Sequence, residues 1–179
     1  RFATPGVTLT SKVIDGTFPD YARVIPLANT KRLEVDAAEF AQAVDRVIVD
    51  LGGGDNTFLM ASGTVNKTLS YKGGDGDDSV TIAAATSVTR DVSLRLGDGD
   101  NKASVEGTIA RGLAVSSRGG DDSLAIAAGA VVSRNVSVLL GEGDNTIDLG
   151  GQIDGSFFGA GGSGNDTFTL AAGATIGKS

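Results

Sequence analysis

Carboxylates that recur at fixed intervals are candidates for holding a hard cation, because such ions take oxygen ligands. Asp55, Asp75, Asp77, Asp78, Asp98, Asp100, Asp121, Asp122, Glu142, Asp144 and Asp166 recur in this way. They sit in six glycine-rich corners: "LGGGDN" (51–56), "GGDGDD" (73–78), "LGDGDN" (96–101), "SRGGDD" (117–122), "LGEGDN" (140–145) and "GGSGND" (161–166). Lys67, Arg90, Arg111 and Arg134 form a set of opposite sign, each eleven residues before the end of the next corner. Four cations in one register suit an anionic polysaccharide or the acidic edge of another chain of this kind, or they are a row of solvated turn charges. Much other chemistry drops out. With no cysteine and no histidine there are no disulfides, no thiolate or imidazole metal sites and no histidine-based triad.

The elements that position these residues follow from the repeat. The corner ends, Asn56, Asp78, Asn101, Asp122, Asn145 and Asp166, lie 22, 23, 21, 23 and 21 residues apart. Two residues past each stand Phe58, Val80, Ala103, Leu124, Ile147 and Phe168, and two further on Met60, Ile82, Val105, Ile126, Leu149 and Leu170. The residue between corner and first apolar position is always polar, which is the period of a strand with one buried face. Nine residues before each corner end come Val47, Leu69, Val92, Leu113, Val136 and Phe157, and a looser second corner centres on Val65, Val88, Ile109, Val132, Ile153 and Ile176. One such unit cannot bury its apolar face alone, whereas stacked units can. The expected fold is therefore mainly β, a parallel β-solenoid of about six coils of ~22 residues. An antiparallel meander shares the alternation. The alternation of Asn and Asp corners also admits a 44-residue coil.

Two corners, "GGDGDDSVT" (73–81) and "GGSGNDTFT" (161–169), resemble the calcium-binding nonapeptide of RTX proteins. In that family, glycine carbonyls and the Asp at position six coordinate calcium between stacked turns. The resemblance implies calcium as cofactor and places the ligand role on Asp78 and Asp166, and on Asp122 with fewer matching glycines. Asp77, Asp100 and Asp144 join them as candidates because they would stack along the same edge. Asn56, Asn101 and Asn145 depart from the motif with a neutral oxygen. A second reading of the corners needs no metal: Gly, Asp and Asn tolerate left-handed turns and bond their own backbone.

The chain before residue 47 obeys another rule. The whole net charge of −7 and all glycines but Gly6 and Gly16 fall after residue 46. "VTLTSKVI" is strand-like, Gly16 to Pro19 is a turn, and Asp36 caps an expected helix with Phe40, Val44 and Val47 on one face. "VTLTSKVIDGTFPDYARVIP" (7–26) with "KRLEVDAAEFAQAVDRV" (31–47) resembles the bacterial sliding clamp, the β subunit of DNA polymerase III. The resemblance implies that Pro19, Arg23 and Val24 are remnants of the pocket that grips partner peptides. Most of that pocket, and the ring around DNA, would come from parts absent here. The expected domains are thus 1–46, a clamp-like fragment that is either a relic or a solenoid cap, and 47–179, the solenoid.

Together these features favour a non-enzymatic structural or binding module of a secreted or surface protein, with a cytoplasmic address as the alternative. The chain starting at Arg1 reads as a piece of something longer, and no stretch reaches the ~18 apolar residues of a membrane span. Two rival readings are a replication factor related to the clamp and a polysaccharide-active β-helix enzyme. Active sites break repeats, and these carboxylates obey theirs.

Overall fold

In a computed structural model the described residues are 2–4, 7–9, 32–35 and 46–177. Strands precede the corners at Val47–Asp50, Leu69–Lys72, Val92–Arg95, Leu113–Ser116, Val136–Leu139 and Phe157–Ala160. Strands follow them at Thr57–Val65, Ser79–Val88, Lys102–Val105, Ser123–Ile126, Thr146–Leu149 and Thr167–Leu170. From the third coil on, the second corner carries its own short strand, as at Thr108–Ile109 and Val131–Val132.

Each strand pairs in parallel with its counterpart one coil along: Leu69 faces Val92, then Leu113, Val136 and Phe157. The chain is a parallel β-solenoid of about six coils at roughly 22-residue spacing. Parallel pairing excludes the meander, and the pairing of Phe58 with Val80 fixes the short coil over the 44-residue one. The antiparallel pair among the described residues is Phe2–Thr4 with Val7–Leu9, ahead of the coils. Among the described residues no helix is long and apolar enough to cross a membrane.

The core consists of apolar ladders, one residue per coil. Ile82, Val105, Ile126 and Leu149 are at most 1% exposed and lie in continuous register. Val88, Ile109, Val132 and Ile153 line the inside of the second corner in the same way. The last coil departs from this. Phe168, Leu170 and Ile176 hold the same inward positions yet are 52%, 54% and 41% exposed, since none of the described residues lies over them.

At the other end Arg32–Val35 pairs with Thr57–Met60, so a strand from ahead of residue 46 joins the solenoid sheet. The pairing adds one strand to the edge of that sheet. Val47 belongs to the first strand and not to a helix face, a correction that its place in the strand ladder explains. The capped helix expected from Asp36 through Phe40 and Val44 lies outside the described residues, as do Pro19, Arg23 and Val24.

Candidate functional site

The six corners stack into one edge, and their carboxylates divide into two ladders. The outer ladder is solvent-exposed. Asp77 N–H donates to Asp55 Oδ1 at 2.9 Å, Asp100 to Asp77 at 2.8 Å, Asp121 to Asp100 at 2.8 Å and Asp144 to Asp121 at 2.7 Å. Asn165 closes the series on Asp144 at 2.8 Å. Each side chain thus satisfies a turn N–H of the following coil, which gives these carboxylates a structural role in an edge that would otherwise leave donors unpaired.

The inner ladder is built of the corner ends themselves. Asn56, Asp78, Asn101, Asp122 and Asn145 are all buried. Asn56 donates its backbone N–H and its amide to Asp78 Oδ1 at 2.9 and 3.0 Å, and Asn101 treats Asp122 Oδ1 in the same way at 3.0 and 2.9 Å. Asp78 and Asp122 return their N–H groups to Asn101 Oδ1 and Asn145 Oδ1, at 2.9 and 3.0 Å. The alternation has a physical reason. An ionised Asp can only accept, whereas Asn accepts on one side and donates on the other. Placing Asn between the carboxylates doubles the spacing of buried charges from one coil to two, or about 10 Å.

A second alternation is coupled to the first. Five residues before each corner end stand Leu51, Gly73, Leu96, Ser117, Leu140 and Gly161: Leu with Asn, a small residue with Asp. In Asn coils the amide curls back onto its own turn, as Asn101 does to the Gly99 carbonyl at 2.8 Å. Asp cannot donate there, and its second oxygen occupies the space that Leu takes in the Asn coils. A Cβ on Gly73 would lie 1.7 Å from Asp78 Oδ2, and one on Gly161 2.2 Å from Asp166 Oδ2. Ser117 fits by bonding the intruding oxygen, with Oγ 2.5 Å from Asp122 Oδ2 and 2.8 Å from the Leu140 carbonyl. The coil is one repeat long, but its chemistry repeats every two coils. The signal was present in the sequence, at a position where hydrophobicity alternates along the stack rather than along the strand.

Burial pushes the Asp78 and Asp122 carboxyls above the ordinary carboxylate range, against hydrogen bonds from Asn56 on one and from Ser117 and Asn101 on the other. Tyr71, fully buried beside Asp78, has its hydroxyl pushed further up, by burial first and by that carboxylate second.

The residues expected as calcium ligands are therefore distributed rather than gathered. Asp78 and Asp122 point into the inner ladder, Asp77, Asp100 and Asp144 stand on the outer one, and Asp166 ends the inner series, exposed, accepting from Asn145 at 3.1 Å. The glycine carbonyls are engaged too: Gly74, Gly97 and Gly141 accept the N–H groups of Asp98, Arg118 and Ser163. Among the described residues no three acidic side chains converge as a metal group would need. This donor set does not fit the coordination that the RTX resemblance implies. Millimolar calcium is expected to raise the melting temperature no further than sodium chloride of matched ionic strength, since both only screen the outer ladder. A larger calcium shift that disappears in a variant with Asp77, Asp100 and Asp121 changed to Asn would show that the ladder takes up the ion.

The basic residues stack on the second corner. Lys67, Arg90, Arg111 and Arg134 each lie two residues before paired strand positions, and all are exposed. Lys72 pairs with Asp50 at 3.0 Å and Arg118 with Asp98 at 3.7 Å, and neither pair involves Arg90, Arg111 or Arg134. The nearby Asp91 spends one oxygen on the Gly112 N–H at 3.0 Å.

The class is thus a parallel β-solenoid stabilised by a polar Asn/Asp ladder, with acidic and basic rows on separate corners. A 47-residue segment is 62% identical to the beta sliding clamps of two Caulobacter vibrioides strains, NA1000 / CB15N and ATCC 19089 / CIP 103742 / CB 15. That segment is 26% of this chain and spans only 13% of either clamp. No protein-family model matches the chain. No solved structure matches it significantly.

Proposed function

We propose that the solenoid is a rigid, non-enzymatic binding module of a secreted or surface protein, which presents its basic row to an anionic polysaccharide. The observation that carries this reading is the register of the exposed Arg90, Arg111 and Arg134 with Lys67, one charge per coil. Sulfate or carboxylate groups along an extended polymer meet such a row at about 4.8 Å intervals. The row lies on an edge away from the acidic corners, so its local field survives a net charge of −7. Binding to immobilised heparin is expected to weaken at least about tenfold when Arg90, Arg111 and Arg134 are changed together to Ser, and to fall steeply with salt. Equal binding by the variant, with its melting behaviour unchanged, would refute the assignment.

A second reading follows from the clamp-like segment, which favours a replication-related chain. Its test is direct binding of a short clamp-motif peptide, to which the remnant positions Pro19, Arg23 and Val24 would have to contribute.

A further inference from the structure

We propose that a groove between the pre-corner strands and the acidic corners of the first coils is a binding site for a small phosphate monoester of the sugar-phosphate class. Lys72, Arg95 and Arg118 line it together with Ser116, Asp75 and the corner glycines Gly74 and Gly97. Its volume of about 400 Å³ is at the low end of the range for small-molecule sites. None of the second-corner cations Lys67, Arg90, Arg111 and Arg134 lines it, so it is separate from the basic row.

The cations of the groove break the repeat. Lys72 faces Arg95 and Arg95 faces Ser116 on neighbouring strands, whereas the same register holds Asp50 one coil earlier and Leu139 one coil later. The corner residue just before the bridged positions reads Gly74, Gly97, Arg118 and Gly141. At Gly74 and Gly97 a Cβ would collide with the carbonyls of Gly52 and Gly74, so these corners leave the groove unobstructed, and Arg118 brings a cation where they carry no side chain. Stacking the coils does not call for three charges at these places. Local departures from a repeat are where function is expected.

The charges select the ligand. Lys72 is held by Asp50 at 3.0 Å and Arg118 by Asp98 at 3.7 Å, both pairs with exposed side chains, which an incoming dianion displaces at little cost. Arg95 is exposed between them and belongs to neither pair. A phosphate monoester carries close to two negative charges at neutral pH, which suits an ammonium and a guanidinium one strand spacing apart. The carboxylates then decide what the phosphate is attached to. Asp75 lines the groove and bridges in register to Asp98. A long polyanion would set its further charges against Asp50, Asp75 and Asp98, whereas sugar hydroxyls beside the phosphate can donate to them.

The test titrates glucose 6-phosphate into the full chain and follows the backbone amide resonances. Saturable shifts at Gly74, Arg95, Gly97 and Ser116 are expected in the millimolar range, with inorganic phosphate binding at least about fivefold more weakly. Arg95→Ser and Lys72→Ser, both at exposed positions, are each expected to weaken the sugar phosphate at least about tenfold without changing the melting behaviour. The triple change of Arg90, Arg111 and Arg134 to Ser is expected to leave this binding as it is, so the heparin experiment and this one can fail independently. Shifts that grow without saturating, equal affinity for inorganic phosphate, or folded Arg95→Ser and Lys72→Ser variants that bind as the parent does would each overturn the proposal.

Discussion

Asn101→Asp is expected to cost more than about 3 kcal/mol at neutral pH, although it exchanges two side chains of equal size. The amide of Asn101 donates to Asp122 Oδ1 and to the Gly99 carbonyl, while its oxygen accepts the Asp78 N–H. A carboxylate keeps the last bond and turns both donors into acceptors facing acceptors, in a position that is 1% exposed. It also sets three buried carboxylates in successive coils. Asp122→Asn is the informative contrast. Its acceptor oxygen survives, one buried charge disappears, and the new amide faces Ser117 Oγ, so stability should change by no more than about 1 kcal/mol. Urea denaturation of both variants tests the asymmetry; equal losses would mean that the ladder depends on side-chain shape and not on the direction of its hydrogen bonds.

The same pair predicts a pH dependence. Because burial raises Asp78 and Asp122 in the folded state, that state binds more protons than the unfolded chain between the ordinary carboxylate value and the raised one. Their contribution is fully present below the unfolded value and is lost as pH rises through the folded one. Ser117 Oγ makes the geometry clear, since its single proton cannot serve both Asp122 Oδ2 and the Leu140 carbonyl; a neutral Asp122 donating to Ser117 satisfies all three. The deficit of the Asn101→Asp variant should therefore shrink between about pH 7 and about pH 4.5.

What could be read from the sequence followed the strength of each signal. The post-corner pairs from Phe58 and Met60 to Ile147 and Leu149 are all buried as their alternation implied, because a period of two admits one inward face. The polar residues were legible as a register but not as an orientation. Asp77 and Asp78 are neighbours of one type, and only the turn geometry sends one to solvent and the other inward. The left-handed glycine at the shared corner position decides this. At Gly99, with φ of 105°, a Cβ would meet the Gly76 carbonyl at 2.4 Å, so the turn closes tightly against the coil before it. As one edge the acidic residues would suit a cation; divided by orientation they form hydrogen bonds between coils.

Ile126→Asp is expected to have the largest effect of any single change considered, more than about 4 kcal/mol, and to split the unfolding of a middle coil from that of its neighbours. Ile126 is 1% exposed and pairs with Val105 on one side and Leu149 on the other, two positions at most 1% exposed. A carboxylate there loses the packing of the isoleucine and has no donor within the apolar ladder. The strands on both sides are pinned by their own registers, so the coil cannot slip by one residue without turning its whole apolar face outward. Leu170→Asp changes the same ladder position one coil beyond Leu149, where the side chain is 54% exposed, and should cost no more than about 0.5 kcal/mol. The difference between these two variants measures what a covering coil contributes. If Ile126→Asp destabilises the chain no more than Leu170→Asp, the stacked register is wrong.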